Sequence, residues 1–91
     1  MTLILIKNKE ETSNAWVFDV EIEDAKYKVA VPKEYWAKLT QKRIAPEELI
    51  RQSFEFLLAR EPKESILREF ELPIIQKYFP EYETKITSLQ T

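Results

Sequence analysis

The sequence predicts an α+β fold: an N-terminal three-stranded antiparallel sheet with helices packed on one face. Three observations lead there. Apolar and polar residues alternate through most of residues 16–31, the period of half-buried strands. Apolar residues then recur at helical spacing from Leu49 to Leu58, which marks an amphipathic helix. A length of 91 residues, 44% hydrophobic and 33% charged, is the balance of one folded domain rather than of a disordered chain.

The strands come first. Trp16, Phe18, Val20 and Ile22 alternate with Val17, Asp19, Glu21 and Glu23, and Tyr27, Val29 and Val31 alternate with Lys26, Lys28 and Ala30. Asp24-Ala25 between them reads as a two-residue turn, since Asp tolerates left-handed dihedrals. That turn sets Glu23 opposite Lys26, Ile22 opposite Tyr27, Glu21 opposite Lys28 and Val20 opposite Val29. Apolar residues then meet apolar ones, and charges meet opposite charges. Leu3 to Ile6 reads as a further strand, joined through the polar stretch Lys7 to Asn14.

Pro32 lacks an N–H and ends the ladder. Lys33 to Leu39 reads as a short helix with Tyr35, Trp36 and Leu39 on one face. Pro46 suits the first position of a second helix running to about Arg60, with Glu47 and Glu48 complementing its dipole. Its buried stripe is Leu49, Ile50, Ser53, Phe54, Leu57 and Leu58, and Phe54 is expected to meet Trp36 in the core. Phe56 lies off that stripe and needs another cover. Arg51 is spaced to pair with Glu47 and Glu55. Lys63 to Phe70 reads as another short helix, and Ile74, Ile75, Tyr78 and Phe79 form an apolar turn closed by Pro80. Residues 84–91 carry little apolar material and are expected to fray, leaving 1–91 as one domain with a loose tail.

Two missing residue types narrow the chemistry. Without histidine, no Ser-His-Asp or Cys-His arrangement can be built. Without glycine, the phosphate-cradling loops of nucleotide-binding proteins are excluded, because their backbone must approach the ligand closely. The absence of cysteine removes disulfides, thiolate nucleophiles and cysteine-ligated metals, and favours a reducing, cytoplasmic setting. The opening apolar run is too short for a signal peptide or a membrane span. The reading is therefore a cytoplasmic, non-catalytic protein with no cofactor, no metal and no inferred small-molecule substrate.

Charge is unevenly placed. Residues 26–43 hold six basic side chains against Glu34 alone, in a chain of net charge −2. Lys26 and Lys28 are matched across the hairpin, which leaves Lys33, Lys38, Lys42 and Arg43 as the candidate nucleic-acid contacts. The ordinary alternative for four such cations is a solvated surface.

The order strand, proline, helix, basic loop and helix, running from Tyr27-Lys28-Val29-Ala30-Val31-Pro32 to Pro46-Glu47-Glu48-Leu49-Ile50-Arg51, resembles the ribbon-helix-helix domains of bacterial repressors and antitoxins. More loosely, it resembles the HicB-type antitoxins. The resemblance implies a homodimer whose paired strands enter the major groove. Residues 53–82, with Glu61-Pro62-Lys63-Glu64-Ser65-Ile66-Leu67 and Tyr78-Phe79-Pro80-Glu81-Tyr82, resemble small bacterial proteins without an assigned function.

The remaining candidate is the aromatic- and isoleucine-rich segment from Phe70 to Tyr82. Phe70, Leu72, Tyr78 and Tyr82 are its candidate partner-binding residues, since aromatics anchor interfaces well. The competing reading folds this segment back to complete the core, with Ile75 and Phe79 buried. The function read from the sequence is a binding or regulatory module acting through contact with a protein, or with a second copy of itself. The alternative is a nucleic-acid-binding, antitoxin-like regulator.

Overall fold

A computed structural model describes residues 3–90. Strands β1 (Ile4–Glu11), β2 (Ala15–Ile22) and β3 (Ala25–Pro32) form an antiparallel meander. Helices α1 (Lys33–Thr40) and α2 (Pro46–Leu58) follow, then a 3₁₀ turn at Lys63–Ser65, a short strand β4 (Glu69–Glu71), α3 (Ile74–Tyr78) and α4 (Tyr82–Ser88). The sheet order is β1-β2-β3-β4, with β4 parallel to β3. The fold is α+β as expected, but the sheet has four strands and is mixed.

The hairpin between β2 and β3 keeps the expected faces but turns one residue earlier. Val20 lies opposite Tyr27, Phe18 opposite Val29, and Ile22 opposite Ala25. Moving the turn by one residue shifts every pairing by two, so apolar still meets apolar. The charge matches survive as well, now as Glu21 with Lys26 and Asp19 with Lys28. Two contacts favour the observed turn. Ala25 is buried at the end of the sheet. Lys63 Nζ lies 3.0 Å from the Glu23 carboxylate and 3.6 Å from that of Asp24. Glu23 has a positive φ of 55°, at the first central position of the turn, where the primed turns favoured in two-residue hairpins require it.

β1 runs past the predicted Leu3–Ile6 to Glu11 by means of a bulge. Its register with β2 shifts between Lys7 and Glu10, and Asn8 sits at φ 56° with its amide donating to Asp19 at 2.8 Å. Asn is the residue other than glycine that best accepts this conformation.

β4 replaces the helix expected over Lys63 to Phe70. After the 3₁₀ turn the chain extends at Ile66 and pairs with β3: the Lys28 N–H donates to the Arg68 carbonyl at 2.7 Å, and the Leu72 N–H to the Ala30 carbonyl at 3.0 Å. The open edge of β3 offered backbone groups that a short surface helix would have left unpaired.

One sheet face supplies Phe18, Val20, Ile22, Tyr27, Val29 and Val31 to the core, all buried. α2 covers it through Leu49, Ile50 and Phe54, and the Phe54 ring lies 5.1 Å from that of Tyr27 and 6.0 Å from that of Phe70. Trp36 does not reach this centre. It is half-buried at the margin, edge-on to Trp16 at 5.2 Å, with its indole N–H donating to the Ile44 carbonyl. Arg51 pairs with Glu55 at 2.7 Å as expected, but its other partner is Glu48, while Glu47 reaches Lys9.

The segment expected to fray is structured through residue 90. α4 carries Ile86, fully buried, and the Gln90 side-chain amide donates to Gln52 at 3.1 Å. A single isoleucine on a short polar helix is a weak periodic signal, yet it completes the core. Thr91 of the expected tail, with Met1 and Thr2, lies outside the described residues.

Phe54→Ala should cost about 3–5 kcal/mol, since it leaves a cavity where a helix, β3 and β4 meet. Ile86→Ala should cost about 2–5 kcal/mol if α4 is part of the core rather than a tail. Urea unfolding monitored by tryptophan fluorescence measures both, and an unchanged midpoint for Ile86→Ala would return residues 84–90 to the surface.

Candidate functional site

The structure divides the four aromatic-segment candidates. Leu72 and Tyr82 are fully buried and belong to the core, which corrects their assignment as partner-binding residues. Leu72 follows β4 directly, where its N–H bonds to β3. Tyr82 opens α4, and its hydroxyl shares a 2.6 Å hydrogen bond with Ser53 Oγ, which in turn donates to the Leu49 carbonyl. Tyr82 and Phe79 are also the cover that Phe56 required, at ring distances of 5.3 and 5.8 Å, with the Arg60 guanidinium 3.6 Å from the ring centre on that side chain. Ile75 is buried as expected, but Phe79 only in part.

Phe70 and Tyr78 do come together. They line an open apolar cleft of about 330 Å³ between the end of α2, the segment after it, β4 and α3. Leu57, Ile66 and Ile75 are buried at its base, whereas Tyr78 and Leu67 stand 64% and 48% exposed at its rim. Ile74 also lines it and is half-buried. A neighbouring depression continues over β4, bounded by Glu69, Glu71, Pro73 and Lys77, and shares Leu67, Phe70 and Ile74 with the cleft. The cleft exists because β4 is the last strand. Helix α3 forms the facing wall of the cleft.

Ile66 and Leu67 were not among the candidates read from the sequence. Placed on a helix from Lys63 to Phe70 they are ordinary buried positions. In the extended segment they alternate, so Ile66 turns inward and Leu67 outward. The signal that could have found them is Pro62 together with the apolar pair, which marks a segment able to leave the helix early.

The basic candidates are dispersed. Lys33 Nζ is 2.5 Å from the Glu11 carboxylate and 5.4 Å from the Trp16 ring centre, at the end of the sheet. The Lys33 ammonium holds the Glu11 carboxyl below its usual range. At the opposite end of α1, Arg43 donates to the Gln90 carbonyl at 3.3 Å. Lys38 and Lys42 are exposed and form no ion pair among the described residues. Lys42 and Gln41 both have positive φ, 60° and 54°, in the turn that ends α1.

The outer sheet face is a set of charge columns. Asp19 and Glu21 on β2 lie beside Lys28 and Lys26 on β3, Lys28 lies beside Glu69 on β4, and Lys7 of β1 bonds Glu21 at 2.8 Å. Lys26 and Lys28 therefore each have a residue of opposite charge beside them in the sheet register. Among the described residues, no group of three or more acidic side chains is placed to hold a metal ion, and no helix is long and apolar enough to cross a membrane.

Comparison with known families, with curated proteins and with solved structures finds no match to this chain.

Burial pushes the Tyr82 phenol well above its ordinary value of 10, and does the same to Tyr35, whose hydroxyl donates to Glu83 at 2.9 Å. Above pH about 10 the unfolded Tyr82 loses its proton while the folded one keeps it. The folded state then binds more protons, so this contribution to stability is complete below pH 10 and declines as pH rises further. Urea midpoints at pH 9 and pH 11 should fall more for the native protein than for Tyr82→Phe. Equal falls would mean that the phenol ionises freely when folded and is not held in the core.

Proposed function

We propose that this protein is a non-catalytic cytoplasmic binding module that acts through protein–protein contact, holding an apolar segment of its partner in the cleft between β4 and α3. The observation that carries this reading is the placement of Leu67, Phe70, Ile74 and Tyr78. They form one continuous apolar surface over a structured floor, in a chain whose other apolar residues mostly pack inward. A contiguous exposed apolar patch of this kind marks an interaction site, and a half-buried aromatic beside an exposed tyrosine is the make-up of an interface anchor. The cytoplasmic placement rests on the absence of cysteine.

The second reading, a nucleic-acid-binding regulator of the ribbon-helix-helix type, keeps one observation in its favour: Lys38 and Lys42 are exposed without an ion-pair partner among the described residues. Its support is weaker. A ribbon-helix-helix strand pairs with its twin in a second subunit, whereas β3 lies between β2 and β4. Lys33 and Arg43 are engaged within the domain, so few cations remain, against the six to ten phosphate contacts of a strongly salt-dependent binder.

Site-directed photocrosslinking separates the two. A photoreactive phenylalanine analogue in place of Tyr78 should give a discrete protein adduct in cells. The same group in place of Lys42 should not, and Ile74→Glu should abolish the adduct from position 78. Adducts from position 42 alone, together with low-salt binding to duplex DNA that weakens in Lys38→Ala/Lys42→Ala, would support the nucleic-acid reading instead.

A further inference from the structure

The cleft adjoins the free edge of β4, and that adjacency specifies a ligand. In a parallel ladder, alternate residues of a strand direct their backbone groups to the same neighbour. The Arg68 carbonyl and the Leu72 N–H bond to β3, so the backbone groups of Glu69 and Glu71 point the other way, toward solvent at the sheet edge. Side chains alternate independently across the two faces. Glu69 and Glu71 lie on the outer face beside Lys28 and Ala30, and Phe70 lies on the core face beside Val29.

We infer that the cleft takes an extended peptide segment that adds to β4 as a fifth strand, with an apolar residue entering the cleft between two flanking Lys or Arg residues. This deepens the proposed function and rests on the reading of the cleft as a docking site. A strand laid along β4 places the residue level with Phe70 over Ile74 and Leu67, covering the apolar surface that the sheet leaves open. Its neighbours on either side fall level with Glu69 and Glu71, on the outer face. These two carboxylates form no ion pair among the described residues, and neither does Glu61 at the cleft wall, while Lys77 is the cation that lines this surface. The rim is thus acidic, and cations at the flanking positions complete cross-strand pairs.

β3 already meets β4 in this manner from the other side, with Lys28 beside Glu69 and Val29 beside Phe70. An incoming strand with the same alternation would continue the charge columns of the sheet by one more. β1 offers a longer free edge, but the bulge at Asn8 interrupts it and the charged residues Lys7, Lys9 and Glu10 occupy its middle, the usual protection of an edge against pairing.

The test is fluorescence anisotropy of the full chain with three labelled synthetic peptides. One alternates lysine and valine, one alternates glutamate and valine, and one has the composition of the first with lysines and valines in separate blocks. The alternating cationic peptide should bind about tenfold or more tighter than either of the others, as expected when several cross-strand pairs act together. Glu69→Lys/Glu71→Lys should reverse the preference toward the acidic peptide. Glu71→Pro, which removes an N–H only from the free edge, should abolish binding while the circular dichroism spectrum and thermal midpoint hold. If Glu71→Pro does not fold, the charge reversal decides alone. Equal binding of alternating and block peptides, or unchanged preference after charge reversal, overturns strand addition. A mass doubled in sedimentation, reduced by Ile74→Glu and insensitive to the cationic peptide, also overturns it and makes a second copy the occupant. Failure of the peptides with the adduct from position 78 intact removes this inference and leaves the docking site; loss of both removes both.

Discussion

A single sheet face must be kept dry by a chain with little to spare, and the contact of α2 with that face governs the rest of the molecule. Phe54 stands at the junction, against Tyr27 of β3 and Phe70 of β4. A helix is narrower than a four-stranded sheet, so α2 leaves margins uncovered on both sides. At one margin Trp16 and Trp36 meet edge to face. At the other, the chain after α2 supplies β4 and α3, while α4 packs against α1 and α2, and the small size of the core makes each of these pieces necessary.

The way α4 attaches shows the constraint at work. Its first residue, Tyr82, is completely buried, and a buried hydroxyl must find a partner. Ser53, on the apolar stripe of α2, provides it at 2.6 Å while itself bonding the Leu49 carbonyl. A serine among leucines and a tyrosine in a polar tail are each unremarkable alone. Together they hold two helices in register, and α4 in turn covers Phe56. The same economy leaves the margin beside β4 unfinished. α3 is only five residues long and β4 only three, and an apolar cleft stays open between them. That unfinished margin is the proposed docking surface, so the site follows from how far the sheet extends rather than from a dedicated loop.

The lack of glycine has a local cost elsewhere. Asn8, Glu23, Gln41 and Lys42 occupy positive φ, where a side chain with Cβ costs roughly 1–2 kcal/mol. Compensation is visible at two of these places. Asn8 donates to Asp19, and the turn at Glu23 is held by Lys63, whose ammonium is kept above its usual range by the carboxylates of Glu23 and Glu64.

The strands β2 and β3, the helices α1 and α2 and the apolar face they share were legible in the sequence, because they rest on local periodicity that survives in any register or packing. Asp24 and Ala25 illustrate its limit. The turn there and the observed turn at Glu23-Asp24 differ by a shift that preserves side-chain parity, so alternation and charge matching are satisfied by both. Only tertiary structure distinguishes them, through the burial of Ala25 and the reach of Lys63, distant in sequence, to Glu23 and Asp24. Phe70, Leu72, Tyr78 and Tyr82 suited either core or interface, since composition does not say which way a side chain turns. The pairing of residues 68–72 with β3 decided it, taking Leu72 inward and setting Phe70 at the floor of a cleft. Tyr82, the first residue of α4, turned inward against Ser53 and Phe56, while Tyr78, the last residue of α3, stayed outside. Local pattern thus determined the elements, and long-range backbone pairing at the sheet edge determined where the surface lies open.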